Sequence, residues 1–229
     1  AEAITTSGQL SIRWVADELN KFLNETVGTD NYDYIVASDT DSVYVRLGKL
    51  VDRLLPDCED TKKIVDFLDS SSEKIIQPLI DKKYDELAKM MNAYENKMHM
   101  GREVIAERGI WTAKKRYALN VWDSEGIRYE EPKLKIMGIE TTRSSTPAIV
   151  REKLKNAIRL ILTQDEKDIQ NYVAEFKEEF YKCEPEEIAF PRGVSNLEKW
   201  ESSSEIYISA TPIAVKGSLI YNHYIKKLK

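Results

Sequence analysis

Cysteine and histidine are scarce in this chain, two of each among 229 residues, and their scarcity removes several chemistries. Cys58 and Cys183 are far apart and lack a Cys-x-x-Cys or a neighbouring histidine, so neither a disulfide framework nor a zinc site is indicated. Both are expected as free thiols. His99 and His223 stand too far from other ligand types to hold a metal, and no histidine general base can be named. No uninterrupted apolar run approaches the ~20 residues needed to cross a bilayer, and no basic-then-apolar leader opens the chain. A cytoplasmic protein with no membrane partner is therefore expected. Internal repeats and low-complexity tracts are also missing.

What is present is an ordinary globular composition, long enough for one large domain or two modest ones. The net charge of −5 argues globally against nucleic acid, but the charge is segregated. Lys97 to Arg116 carries six basic residues against two acidic ones, while acid gathers from Glu166 to Glu187. Phosphate contacts respond to local charge, so a basic surface on an acidic protein is permitted.

Hydrophobic spacing divides the chain into elements. Ala3 to Asn24 reads as an amphipathic helix ended by Gly28, and Asn31 to Arg46 as a β-hairpin. A short helical stretch follows over Leu47 to Leu55. Asp60 to Asn96 reads as two helices, interrupted by the serines at 70–72 and by Pro78. Lys97 to Ile139 alternates loosely and predicts antiparallel strands, with Asp123-Ser124-Glu125-Gly126 as a turn. Beyond Pro147, expected at the first helical position, helical spacing returns through Phe180. Ile206 to Ile220 hints at a strand and then a helix. Trp14, Trp111 and Trp122 lie in apolar patterns and are expected to anchor cores.

The hairpin carries the densest chemistry. Tyr34 to Arg46 reads Tyr-Ile-Val-Ala-Ser-Asp-Thr-Asp-Ser-Val-Tyr-Val-Arg. If extended geometry continues through the turn, Asp39 and Asp41 leave the same face and can approach one hard cation. Magnesium takes oxygen ligands, often one or two carboxylates plus substrate phosphates, so the pair suits phosphoryl or nucleotidyl transfer. An acidic turn between solvated strands is the plainer alternative. Asp-x-Asp also occurs in phosphatases of the haloacid dehalogenase type, where the chain leaves the strand into a loop and helix of a doubly wound sheet. Here Val43-Tyr44-Val45-Arg46 starts a second strand at once, and alternating β and α units are absent.

Several separate segments agree on another reading. Asp39-Thr40-Asp41-Ser42 resembles the acidic hairpin of family B DNA polymerases, and Trp111 to Leu119, Trp-Thr-Ala-Lys-Lys-Arg-Tyr-Ala-Leu, resembles that family's Lys-x-Tyr segment. Met100 to Ala106, Glu131 to Thr141, Ser144 to Pro147 and Thr211 to Asn222 resemble the phage replicative branch in the same order. The resemblance thus covers nearly the whole chain. It implies an α+β fold, with a palm segment over residues 1–143 and a mainly helical thumb portion over 144–229.

The resemblance also implies roles. Asp41 is expected as the bridging metal ligand, Asp39 as a second ligand, and Glu103 as an assistant to a metal or its waters. Pairing with Arg102 or Arg108 would explain Glu103 equally well. The expected cofactor is Mg2+, with Mn2+ able to substitute. Lys114, Lys115, Arg116 and Tyr117 are expected on a strand facing DNA, Lys115 and Tyr117 toward the primer end. Lys135, Gly138 and Arg143 are expected along the primer backbone, where they position without reading sequence; Lys133 is a further candidate.

Departures from the family pattern are equally informative. Ala37-Ser38 stands where Tyr-Gly is common, and Gly101 where an Asp is common. The earlier palm strand with its metal-binding Asp, the fingers helix and the proofreading exonuclease find no counterpart. Ala1 is thus expected to begin the second part of a polymerase, either a split-gene product or an expression fragment. The expected partners are primer-template DNA, dNTP, an N-terminal polymerase part carrying exonuclease, first palm strand and fingers, and a sliding clamp. The chain alone is expected to be inactive. The rival of a different class is a non-catalytic DNA- or protein-binding module using the Lys114 region.

Overall fold

The computed structural model describes residues 2–202 and 204–228. Ala1 and Lys229, the outer ends of the expected palm and thumb portions, lie outside the described residues. The fold is α+β, and the chain divides into two compact units, Ala1–Met137 and Gly138–Lys229.

The first unit is built on helix α1 (Glu2–Val27), whose buried residues Ile12, Val15, Leu19, Leu23 and Val27 recur every three or four positions and make one continuous apolar stripe. Val15 and Leu19 pack with Ile80, Tyr84 and Leu87 of helix α4 (Gln77–Met90). Leu23 and Val27 pack with Tyr34 and Leu50. Gly28 stops α1 in the left-handed region at φ +71°, and its N–H and that of Thr29 return to Asn24 O. Asn24 and Asn20 then accept the N–H groups of Tyr32 and Tyr34, each at 2.8 Å, which fixes how the chain enters the hairpin.

Strands β1 (Ile35–Asp39) and β2 (Ser42–Val45) form that hairpin, and helix α2 (Gly48–Leu54) follows. Helix α3 (Thr61–Ser71), capped by the Asp60 carboxylate, continues into α4 without the break expected at 70–78. A π-helical turn at Ser72–Ile76 joins them, with Gln77 N–H donating to Ser72 O. That turn shifts the hydrogen-bond ladder, so Pro78 falls in the first turn of α4, where its missing amide costs little. A second antiparallel sheet has the order β3 (Val104–Ala113), β4 (Arg116–Ser124), β5 (Ile127–Met137).

An ionic cluster ties α3 to this sheet. The carboxylate of Asp123, 1% exposed, accepts from Arg102 and Arg128, and both arginines also reach Asp69 on α3. Burial opposes ionisation of Asp123, but the hydrogen bonds from Arg102, the Gly126 N–H and Arg128 outweigh it and hold the carboxyl below its ordinary range.

The second unit is helical among its described residues: α5 (Ala148–Thr163), α6 (Glu166–Phe180), the short α7 (Pro185–Ile188) and α8 (Ile213–Leu228). Pro147 caps α5 one position before the expected site. Lys153 of α5 pairs with Glu179 of α6 and lies over Phe176, while Tyr172 donates to Lys153 O. The strand expected near Ile206 does not form. No strand edge occurs among the described residues of this unit, and a lone strand has no ladder partner.

Candidate functional site

The acidic hairpin closes through a two-residue turn, Thr40-Asp41, between the paired residues Asp39 and Ser42. Thr40 is left-handed at φ +45°, and the Asp41 N–H donates to Asp39 O at 2.5 Å. Extended geometry therefore stops at Asp39, and the same-face argument from a spacing of two does not apply across the turn. The two carboxylates have different surroundings instead. Asp39 Oδ1 accepts from Thr40 Oγ1 at 3.0 Å and lies 3.6 Å from Lys115 Nζ. Asp41 is exposed and lines a cleft of about 820 Å3 within the first unit. It has no ion pair among the described residues.

The walls of that cleft come mainly from β2, α2, α3 and β3, with Leu19 of α1 and Ile80 of α4 also lining it. Its apolar part includes Val65, Leu68, Ile76 and Ile80, and its polar part Asp41, Arg102 and Glu103. Glu103 lies one residue before β3, exposed, with Lys135 Nζ of β5 at 2.5 Å. The partner is thus neither of the arginines weighed from sequence, since Arg102 is committed to Asp69 and Asp123.

Lys114 and Lys115 make the β3–β4 turn, with Lys115 left-handed at φ +60°. The strand alternation expected over Lys114 to Tyr117 holds only from Arg116 onward, because a tight reversal replaces the extended backbone. Arg116 and Tyr117 open β4, where Tyr117 pairs with Trp111 on β3 and Met137 on β5. The turn is what carries Lys115 to Asp39.

A ring cluster, which sequence reading missed, supports this approach. Tyr44 of β2 packs against Trp111 and Tyr117, with 5.3 Å between centroids in both cases, and so couples the hairpin to the three-stranded sheet. Burial, then the hydroxyl of Tyr117, push the Tyr44 phenol up to about 12. The available signal was the two-residue alternation of β2, which puts Ser42 and Tyr44 on one face.

Lys135 sits on β5 with its amine committed to Glu103, and Lys133 lies 3.9 Å over the Tyr129 ring. Gly138, at φ +67°, begins the second unit; exposed Arg143 follows its 3-10 turn Glu140–Thr142.

The donor chemistry suits a hard cation in part. Asp41 and Glu103 offer carboxylate oxygens to one cleft, and magnesium is commonly held by one or two carboxylates with substrate oxygens completing the shell. Among the described residues no three His, Cys, Asp or Glu side chains gather into a metal-holding group.

The chain is thus α+β, with an acidic hairpin on one antiparallel sheet beside the basic β3–β4 turn of another. It is similar to the DNA-directed DNA polymerase of Enterobacteria phage T4, 38% identical over 237 aligned residues that take in all of this chain. With the DNA-directed DNA polymerase of Escherichia phage RB69 the identity is 41% over 235 residues, 99% of this chain. Identity at this level from end to end makes the chain homologous to a region of phage DNA polymerases, consistent with a C-terminal part of a family B enzyme. The chain spans about a quarter of the length of these relatives, 26% in each case. No protein-family model matches it. No described helix is long and apolar enough to cross a membrane.

Proposed function

We propose that this chain supplies one side of the nucleotidyl-transfer centre of a phage-type DNA polymerase, with residues 1–143 as palm and 144–229 as part of the thumb. The observation that carries the reading is the placement of Asp41. It is the candidate carboxylate without an ion pair among the described residues, and it faces a cleft with Glu103.

Asp41 would be the principal ligand for Mg2+, and the chemistry such an ion would supply is activation of the primer 3′ hydroxyl and neutralisation of the triphosphate. Asp39 acts beside it and holds Lys115. Lys114, Lys115, Arg116 and Tyr117 approach primer-template DNA. Lys135, Gly138 and Arg143 contact phosphates along the primer. The other donors, the nucleotide grip and proofreading come from polymerase sequence outside this chain, so the purified chain binds DNA weakly and incorporates no dNTP.

The test joins this chain to the remainder of the T4 polymerase in place of the matched segment. Primer extension that Asp41→Ala abolishes supports the proposal. Magnesium-dependent incorporation by the purified chain alone, or an equally active Asp41→Ala chimera, contradicts it.

A further inference from the structure

Asp41 and Glu103, the two carboxylates offered to the cleft, belong to different sheets: Asp41 sits in the turn of the β1–β2 hairpin, and Glu103 directly precedes β3. Among the described residues no strand of one sheet pairs with a strand of the other. Backbone hydrogen bonds therefore do not fix the separation of the two donors, and side chains set it. The Lys115–Asp39 ion pair is one such link. It joins side chains 65% and 34% exposed, however, and such pairs are worth only about 0–1 kcal/mol.

The stiffer link is Tyr44. Its ring meets Trp111 edge-on and Tyr117 at a tilt, while Trp111 and Tyr117, paired across β3 and β4, stack at 6.2 Å and 28°. One ring of the hairpin thus touches both rings of a cross-strand pair, and each aromatic contact adds about 0.5–1.5 kcal/mol beyond its buried area. The larger sheet is shaped to present that pair. Gly109 lies two residues before Trp111 on the same face of β3, and a Cβ there would meet the Trp111 ring at 2.8 Å and Leu119 at 2.6 Å. The missing side chain lets the indole lie back over the strand. Tyr44 stands in β2 only three residues after Asp41, so a shift of its ring is carried directly to the hairpin turn.

We propose that Tyr44 is a positioning residue of the nucleotidyl-transfer centre: packed on Trp111 and Tyr117, its ring fixes Asp41 against Glu103 and against the Lys115 turn. The proposal rests on the reading of the chain as one part of a polymerase. The role belongs to the ring, which spans both partners, rather than to the hydroxyl. A reacting group displaced by about 1 Å can lose about a hundredfold in rate, so a strut between the two sheets has a direct kinetic consequence.

Carbodiimide joins a carboxylate and an amine that touch. In the full chain it is expected to link Asp39 to Lys115 and, as a control of the fold, Glu18 to Lys83, 2.8 Å apart on α1 and α4. Tyr44→Leu should lower the first link about three- to tenfold relative to the second, the loss of one or two ring contacts, and Tyr44→Phe should retain it. In the T4 chimera, Tyr44→Leu is expected to lower kcat for primer extension by about tenfold or more with KM for dNTP within about twofold, because misplacement costs rate rather than nucleotide binding. Tyr44→Phe should stay within about threefold of the parent.

An unchanged Asp39–Lys115 link in Tyr44→Leu, equal losses in the leucine and phenylalanine variants, or a rise in KM without a fall in kcat overturns the proposal. A parent chimera that extends no primer counts instead against the catalytic reading, and the ratio of the two links then decides whether Tyr44 positions the hairpin. If Tyr44→Leu loses the Glu18–Lys83 link as well, the variant has not folded. Tyr44→Met, which keeps a long apolar side chain without a ring, then takes its place with the same outcomes.

Discussion

Lys115 Nζ lies 3.6 Å from Asp39 Oδ1, so a cation on the turn of one sheet partly neutralises a carboxylate on the hairpin of the other. Asp41, two residues on, has no ion pair among the described residues. This asymmetry predicts unequal metal affinities. Titrating the chain with Mn2+ under electron paramagnetic resonance, Asp41→Ala is expected to weaken binding at least fivefold and Asp39→Ala less than twofold. Lys115→Ala should tighten it, since the substitution removes a positive charge beside the hairpin. A larger loss from Asp39→Ala than from Asp41→Ala would reverse the assignment.

The same lysine provides a separate readout in DNA binding. An ion pair between exposed groups contributes about 0–1 kcal/mol, so Lys115 can leave Asp39 for a phosphate at small cost. Lys115→Ala is expected to lower affinity for a primer-template duplex and to reduce the slope of log K against log salt by about 0.9, the value for one released phosphate contact. Lys133→Ala, whose amine rests on Tyr129, should change the slope less. Equal slopes for parent and Lys115→Ala would remove Lys115 from the phosphate contacts.

The turn after α1 makes a prediction about stability alone. Gly28 has φ +71°, and a Cβ there would meet Arg53 Nη1 at 2.6 Å, displacing the guanidinium that donates to Val27 O. Gly28→Ala is expected to destabilise the chain by about 1–2 kcal/mol, the cost of a left-handed L-residue, with a further loss if Arg53 leaves its acceptor. Urea denaturation measures it; a change below about 0.5 kcal/mol, the scatter of neutral surface substitutions, would contradict it.

These predictions rest on features that were unequally legible in the sequence. The 3.6-residue period of α1 and its stop at Gly28 were readable because the signal is local. The hairpin was readable because two β-rich runs flank a short polar turn. The π-helical junction was not: serines and Pro78 carry the signal of a break, and the wide turn that absorbs them depends on packing of α4 against α1. Lys114 and Lys115 were placed on a strand because nothing in Lys-Lys-Arg distinguishes a turn. The partners of Asp39, Glu103 and Arg102 join residues tens of positions apart, and no periodicity reports such pairs. Asp39 and Glu103 are each paired with a lysine from another strand or turn, whereas among the described residues Asp41 is not, and nothing in the motif itself distinguishes the three.

The Arg102–Asp123–Arg128 cluster makes the last prediction, one that depends on pH. Asp123 is 1% exposed and accepts from both guanidiniums, so removing its charge strands two cations against α3 with only Asp69 and Asp66 to meet them. Breaking a buried pair at one partner typically costs about 3–5 kcal/mol, and Asp123→Asn is expected near the lower end because Arg128 is partly solvated. The sign with pH follows from the depressed carboxyl. In the unfolded chain the group titrates near ~3.9. Its contribution is therefore complete above that pH and is lost as pH falls through the lower folded value. Urea unfolding at pH 7 should separate parent and Asp123→Asn fully, and the gap should narrow below about pH 4. A gap that is constant with pH would mean that the side chain stabilises by shape and neutral hydrogen bonding rather than by charge.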